Sequence, residues 1–448
     1  MDRPQMHHIL HRHKKITVLD IVFFYYVLFL GDCSMFINNM DFRHNIIGAI
    51  IYFTALVILY NHTPKPKFTK KLYISIGIVI LWMIIHIPLD GGLNYLACYT
   101  LICHIATAFF IVRCFKANIL QRFVNVIYIL SAISLVCWSI EEIIGVDVML
   151  SLAPFQSVNG DNCGSYIFFH VIQERGEDLA YGFVRNSGFT WEPGRFASLI
   201  VIAFTCNIIR HKGHMAIWSK HNIVFLLALI TTFSTTGYVA IMVVLSINVI
   251  FSPKLTLWKK IVFGGMFAVV AIFVMGLSFM SEKISSRADE ETYMSEDDRI
   301  LDAIEDEDGQ FTVDRFEGMT LDGLNFIDAP WFGYGLDSDN SYVRRNISEK
   351  IVTSNGIVKP FAMYGALLAI PFFIFFFLGT KRLSQAYGFK LHMLLFIAIM
   401  TVSISYGWMD NPLMLAFALY SVFRCRAKKY IRKHVKTASN INNNHLLQ

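Results

Sequence analysis

Charge is what this sequence has least of. Only 16% of its 448 residues are Asp, Glu, Lys or Arg, against 55% that are hydrophobic. Soluble chains carry about a quarter charged residues, so an ordinary soluble enzyme is excluded. Paired thiols are missing as well. The 8 cysteines include no Cys-x-x-Cys unit, and only Cys163 lies well inside a loop. That removes a disulfide framework, a zinc site and a redox motif. No internal repeat is visible, which disfavours the inverted-repeat transporter folds. The first apolar run follows basic residues but is too long for a signal peptide and has no small-residue cleavage site after it, so it reads as a retained helix.

What is present is apolar sequence in blocks, with 39 Phe and a mean hydropathy of +0.50. A spanning helix needs roughly 20 apolar residues. Candidate spans are 16–37, 45–60, 72–89, 93–112, 123–140, 195–209, 222–234, 237–251, 260–280, 357–378, 391–409 and 411–424. The expected fold is an all-α integral membrane protein of about 12 transmembrane helices, with two large extracytoplasmic loops containing short helices. The divisions are 1–140 (helices 1–5), 141–194 (first large loop), 195–280 (helices 6–9), 281–350 (second, acidic loop), 351–424 (helices 10–12) and 425–448 (a basic, then Asn-rich tail). Residues 222–251 are either two short helices or a re-entrant hairpin, hinged at Ser234 to Gly237.

Orientation follows from the preference of Lys and Arg for the cytoplasmic side. With both termini inside, 27 of the 39 basic residues are cytoplasmic and 30 of the 33 acidic residues are outside. The second loop alone carries 19 acidic and 7 basic residues. Its stretch from Ser295 to Asp298 has the pattern of a helix-capping box.

Two clusters carry candidate chemistry. The first is Arg185, Gly188, Trp191, Glu192, Pro193 and Arg195, where the first loop meets a membrane helix. Structurally, Pro193 suits a first helical position and Glu192 suits the positive helix end. Functionally, two arginines beside a helix N-terminus suit a diphosphate. The second cluster is Asp314, Arg315 and Glu317, then Pro330 to Gly335 with Trp331 and Tyr334, then Arg344 and Arg345. Structurally, this is a tight aromatic turn with arginines neutralising an acidic loop. Trp331 and Tyr334 read either as interfacial anchors or as stacking platforms for sugar rings. Several other features read as solvated or structural: the cluster of His7, His8, His11 and His13; Arg287 and Arg299; and the acidic run at Asp306 to Gly309, which fails the register of a calcium loop. Asp20, within the first span, is a lone candidate for a proton relay.

At these two loops the sequence resembles the bacterial O-antigen polymerase and O-antigen ligase superfamily. The matching features are Arg185, Gly188, Glu192 and Pro193; the Ser/Thr-rich break from Phe233 to Gly237; and Arg315 followed by Pro330, Gly333 and Gly335. The resemblance implies a metal-independent, cofactor-free glycosyltransferase of the bacterial inner membrane. Its donor would be an oligosaccharide linked to undecaprenyl diphosphate, and it would work in the lipid bilayer beside a flippase and a chain-length regulator. Nothing points to nucleic acid. Ligases of this family carry a functional His where the second loop returns to the membrane. Here that region reads Thr353, Ser354, Asn355, Gly356, with no His between His221 and His392, which favours a polymerase.

In this reading Arg185 and Arg315 neutralise the leaving diphosphate, Glu192 is the general base, and Asp314 and Glu317 are its alternates. Arg195, Arg344, Arg345, Trp331 and Tyr334 contact substrate. Arginine suits the first role because it stays charged and binds phosphate bidentately. The alternatives are an O-antigen ligase, a transporter or lipid-linked oligosaccharide flippase, and a non-catalytic partner in polysaccharide assembly. The crowding of charge in the outer loops, away from mid-membrane, weighs against transport.

The orientation is testable in spheroplasts of a cysteine-free background. Single cysteines at Ser157 and Gln310 are expected to react with a membrane-impermeant reagent before lysis. Reaction of both only after lysis would reverse the topology.

Overall fold

The computed structural model describes residues 17–21, 23, 46–62, 70–89, 95–156, 163–166, 170–173, 179–180, 183–213, 219–252, 255–265, 311–313, 315–408 and 411–422. The histidine cluster, Arg287, Arg299, the residues from Ser295 to Asp298, the run at Asp306, Asp314 and the Asn-rich tail lie outside them.

The chain is mostly helical, with several apolar helices, as an all-α membrane protein requires. Among the described residues, the elements ahead of the first large loop include α1 (Ile46–His62), α2 (Lys70–Leu89), α3 (Tyr95–Phe115) and α4 (Ile119–Ile144). After that loop come α5 (Pro193–Arg210), α6 (Lys220–Thr231) and α7 (Thr235–Ile250). The second loop holds α8 (Arg315–Asp328) and the short α9 (Tyr342–Asn346). After it, among the described residues, come α10 (Lys359–Ala386), α11 (Leu394–Ser403) and α12 (Pro412–Leu419). Among the described residues, the stretches Cys98–Ile144, Pro193–Arg210 and Lys359–Ala386 are long and apolar enough to cross a membrane.

Helix α5 is the centre of the bundle. Every residue in it except Arg195 and Arg210 is buried, which is the condition of a helix apolar on all sides. It packs against α4, α6, α7 and α11. Exposed Ile, Val and Leu side chains lie instead on peripheral faces of α1, α2 and α4, where lipid is the natural neighbour. Residues 222–251 form two helices, with Phe233 at φ 45° in the break and Ser234 capping α7 through the amide of Gly237. Asp20 forms an ion pair with Arg122, so a charge partner accounts for it.

The first loop departs from the expectation of short helices alone. It contains an antiparallel sheet of β1 (Phe155–Gln156), β2 (Cys163–Tyr166) and β3 (His170–Gln173), followed by the hairpin of β4 (Leu179–Ala180) and β5 (Phe183–Val184). These strands are too short to leave a readable alternation in the sequence. They are held by ties to α4, including the fully buried pair of His170 Nε2 and Glu141 Oε2 at 2.8 Å.

The second loop is locked by the turn from Pro330 to Gly335. That turn slots into a break in α10, where Gly365 has φ 67°. Tyr334 N donates to Ala362 O at 2.9 Å, Gly335 N to Met363 O at 3.1 Å and Ala366 N to Pro330 O at 2.8 Å. Gly333, at φ 75°, and Gly365 have no room for a side chain, because a Cβ on either would overlap the facing backbone. Helix α2 clasps the same turn from another side: Trp82 Nε1 donates to Phe332 O at 2.8 Å, and His86 Nε2 lies 3.2 Å from Gly333 O.

Gly333→Ala is therefore expected to destabilise the protein by clearly more than the ~1 kcal/mol of an ordinary glycine effect. Gly323→Ala, where a Cβ meets nothing within 4 Å, should be neutral or stabilising by up to ~1 kcal/mol. Thermal unfolding in detergent separates them, and equal midpoints would contradict the interlock.

Candidate active site

The first cluster is built around the start of α5. Glu192 is the residue before the helix, extended at φ −150° and ψ 135°, and its side chain caps no backbone amide. Its Oε1 instead accepts a hydrogen bond from the Tyr406 hydroxyl at 2.7 Å. The carboxylate is thus aimed across the bundle at the connection between α11 and α12, which the helix-punctuation reading does not require. Gly194 makes this possible, because a Cβ there would overlap the Tyr406 hydroxyl. Pro193 occupies the first turn and fixes the local backbone. Gly188, at φ 57°, serves the expected turn beneath the ring of Phe196.

Arg315 arrives from the second loop, as the first residue of α8. One terminal nitrogen donates to Thr236 Oγ1 and to Ser405 Oγ, each at 2.6 Å; the other lies 3.3 Å from the Tyr406 hydroxyl. Thr236 and Ser405 are themselves joined at 2.9 Å. The guanidinium also stands 5.3 Å from the centre of the Tyr406 ring. Three sequence motifs therefore meet at one point: the Glu192 segment, the Ser/Thr-rich break and the Arg315 segment.

Arg185 and Arg195 complete the cationic wall. Arg185 Nε donates to Thr232 O at 3.3 Å, and Arg185, like Arg315, acts electrostatically on the Tyr406 hydroxyl. Arg195 lies among the rings of Trp191, Trp408 and Tyr406, at 4.9, 5.7 and 5.9 Å from their centres, within cation–π range. A helix N-terminus, a carboxylate and three guanidinium groups thus gather around Tyr406. This arrangement can hold an anionic group and move a proton beside it.

The remaining candidates lie elsewhere. Arg344 pairs with Asp339 and Arg345 with Asp328, each at 2.6 Å, so both neutralise loop carboxylates. Trp331 is 64% exposed at the tip of the interlocked turn, whereas Tyr334 is 8% exposed beneath it. Glu317 lies on the first turn of α8 and is half-buried. Among the described residues no group of three or more His, Cys, Asp or Glu is placed to hold a metal ion.

Sequence reasoning missed Tyr406 and Ser405. The only signal was the polar interruption Ser405, Tyr406, Gly407, Trp408 between two apolar runs. It also missed Asp322. This carboxyl lies two turns along α8 from Arg315 and so on nearly the same face. It is fully buried; Oδ1 accepts from Thr353 Oγ1 at 2.8 Å, and Oδ2 has no hydrogen bond. Lys359 Nζ donates to Thr353 O at 2.6 Å. Burial pushes the Asp322 pKa up to about 6, with Thr353, Lys359 and Asn325 pulling against it.

Residues 222–360 match the family model described as O-antigen ligase. The match covers the Ser/Thr-rich break, the second loop with Arg315 and the return to the membrane, and it supports the O-antigen ligase and polymerase superfamily. Members are glycosyltransferase-like enzymes that act on lipid-linked oligosaccharides in the membrane. The segment from Arg185 to Arg195 and Tyr406 lie outside the matched residues. No curated protein matches the chain.

The raised pKa of Asp322 has a definite sign for stability. The folded protein holds this proton more tightly than the unfolded chain, whose value is near 3.8. The contribution to stability is therefore present below that value and lost as pH rises through about 6. In detergent, the unfolding midpoint of the wild type is expected to fall relative to that of Asp322→Asn between about pH 4 and about pH 7. A constant difference across that range would show that Asp322 does not titrate there.

Proposed function

We propose that this protein is a polysaccharide polymerase of the bacterial inner membrane, multi-pass with both termini cytoplasmic. It transfers a growing glycan from undecaprenyl diphosphate to the next lipid-linked repeat unit. The observation that carries this reading is the meeting of Glu192, Arg315 and Tyr406 where the two large loops return to the helical bundle.

The chemistry follows from the residue types. The bond between the sugar anomeric carbon and the diphosphate oxygen breaks, and the same carbon bonds to the acceptor hydroxyl oxygen. Undecaprenyl diphosphate departs with the bonding electron pair, and Arg185 and Arg315 neutralise its growing charge without a metal. Glu192 receives the acceptor proton, while Tyr406 holds its carboxylate in place. A separate flippase delivers the donor to the outer leaflet, and a chain-length regulator is the natural partner.

The second reading is an O-antigen ligase, favoured by the description of the matching family model. Against it stands the absence of any His between His221 and His392, which includes the segment that follows the second loop.

Both are tested with purified protein and lipid-linked repeat units extracted from cells lacking this gene. Longer lipid-linked glycan is expected, with undiminished turnover in EDTA. Arg315→Lys should cost about 10²–10³ in rate, because an ammonium cannot replace the fork of donors. Glu192→Gln should cost roughly 10²–10⁴. Transfer only to a lipid A core acceptor would establish the ligase instead. Near-normal turnover of Arg315→Ala and Glu192→Gln would remove the site altogether.

A further inference from the structure

The residue before Arg185 is held in an unusual way. Val184 lies on β5, which pairs only with β4 among the described residues, so one edge of its backbone needs partners from elsewhere. Both come from the outer end of α4. Val184 N donates to Glu142 Oε1 at 2.7 Å, and Val184 O accepts from Trp138 Nε1 at 2.7 Å.

The residue after Arg185 is held as firmly. Asn186 Oδ1 accepts from Ser134 Oγ of α4 at 2.6 Å, while Asn186 N and Nδ2 donate to Thr231 O and Oγ1 of α6, both at 2.9 Å. Ser134, Trp138 and Glu142 recur every four residues, so they form one stripe along α4. The buried Glu141–His170 pair joins α4 to β3, and Val171 N continues the tie to Gly188 O at 2.7 Å. The backbone before Arg185 is therefore fixed to one face of α4, and the residue after it is held between that face and α6. None of these side chains belongs to the cluster around Tyr406.

We propose that Glu142 and Trp138 are positioning residues that set the Arg185 guanidinium against the diphosphate by clamping the two backbone groups of Val184. The proposal rests on the reading of Arg185 as a phosphate ligand. A charge-assisted carboxylate-to-amide bond and an indole-to-carbonyl bond leave Val184 no freedom to slide along α4. Arg185 carries a long, flexible side chain, so the placement of its Cα decides where its charge can reach. Misplacing a catalytic group by about 1 Å can cost about 10²-fold in rate.

The test is a double-mutant cycle in the polymerisation assay, using the extracted lipid-linked units and the full chain. Glu142→Ala and Trp138→Phe are each expected to lower kcat by about 10- to 100-fold with little change in KM. Glu142→Gln keeps a carbonyl acceptor for Val184 N and should recover most of the lost rate. In an Arg185→Ala background, adding Glu142→Ala should have no further effect, because it acts only through the missing guanidinium. Multiplicative losses in that background would overturn the proposal, as would a Glu142→Ala protein that folds less well but turns over normally per folded molecule. Full turnover of Arg185→Ala alone would instead remove the phosphate-ligand reading, and the proposal with it.

Discussion

An arginine brought into an apolar bundle must find oxygen atoms, and the donors of Arg315 are met by hydroxyl groups from separate parts of the chain. Thr236 comes from the first turn of α7, and Ser405 and Tyr406 from the connection after α11. Hydroxyls satisfy the guanidinium without neutralising it. A carboxylate partner at the same place would remove the charge from use, as Asp339 and Asp328 do for Arg344 and Arg345. Among the described residues, Arg315 is thus met by hydroxyls, whereas Arg344 and Arg345 are matched by carboxylates.

The same junction depends on close backbone approach. Gly194 lets the Tyr406 hydroxyl lie against the first turn of α5, and Gly356 lets the returning chain pack on the backbone of Ser403 and Tyr406. Gly356 N donates to Ser403 O at 2.8 Å, and Asn355 Nδ2 donates to Ile404 O at 2.9 Å. Helix α8 rests on that returning segment through Asp322 and Thr353. Arg315 is therefore positioned by a stack of three layers, and at Gly356 two of them approach too closely for any side chain.

Much of this was legible in the sequence because membrane physics is simple to read. Long apolar runs mark α2, α3, α4 and α10 directly, and Pro193 marks the start of α5. Glu192 was visible because a charge at the end of an apolar run needs a reason, and Arg315 because it precedes the Pro330 to Gly335 turn in the pattern of the family the sequence resembles. Tyr406 was not, since an aromatic residue at a helix end is ordinarily an interfacial anchor. Asp322 was hidden among the many carboxylates of an acidic loop, where only three-dimensional burial distinguishes it. Tyr334 looked like the twin of Trp331, yet the turn that carries both buries one and exposes the other. The strands of the first loop were illegible because their stability comes from α4 and not from their own pattern.

The interlock between the turn at Gly333 and the break at Gly365 has a consequence for biogenesis. Trp82 finds its carbonyl partner 250 residues further along the chain. While a ribosome is still making the intervening sequence, the Trp82 indole N–H and one His86 nitrogen await oxygens not yet synthesised. The turn cannot be captured until α10 has been made, because its far wall is the backbone of Met363 to Leu367. Helix α2 is thus an early-made element with a late-arriving partner.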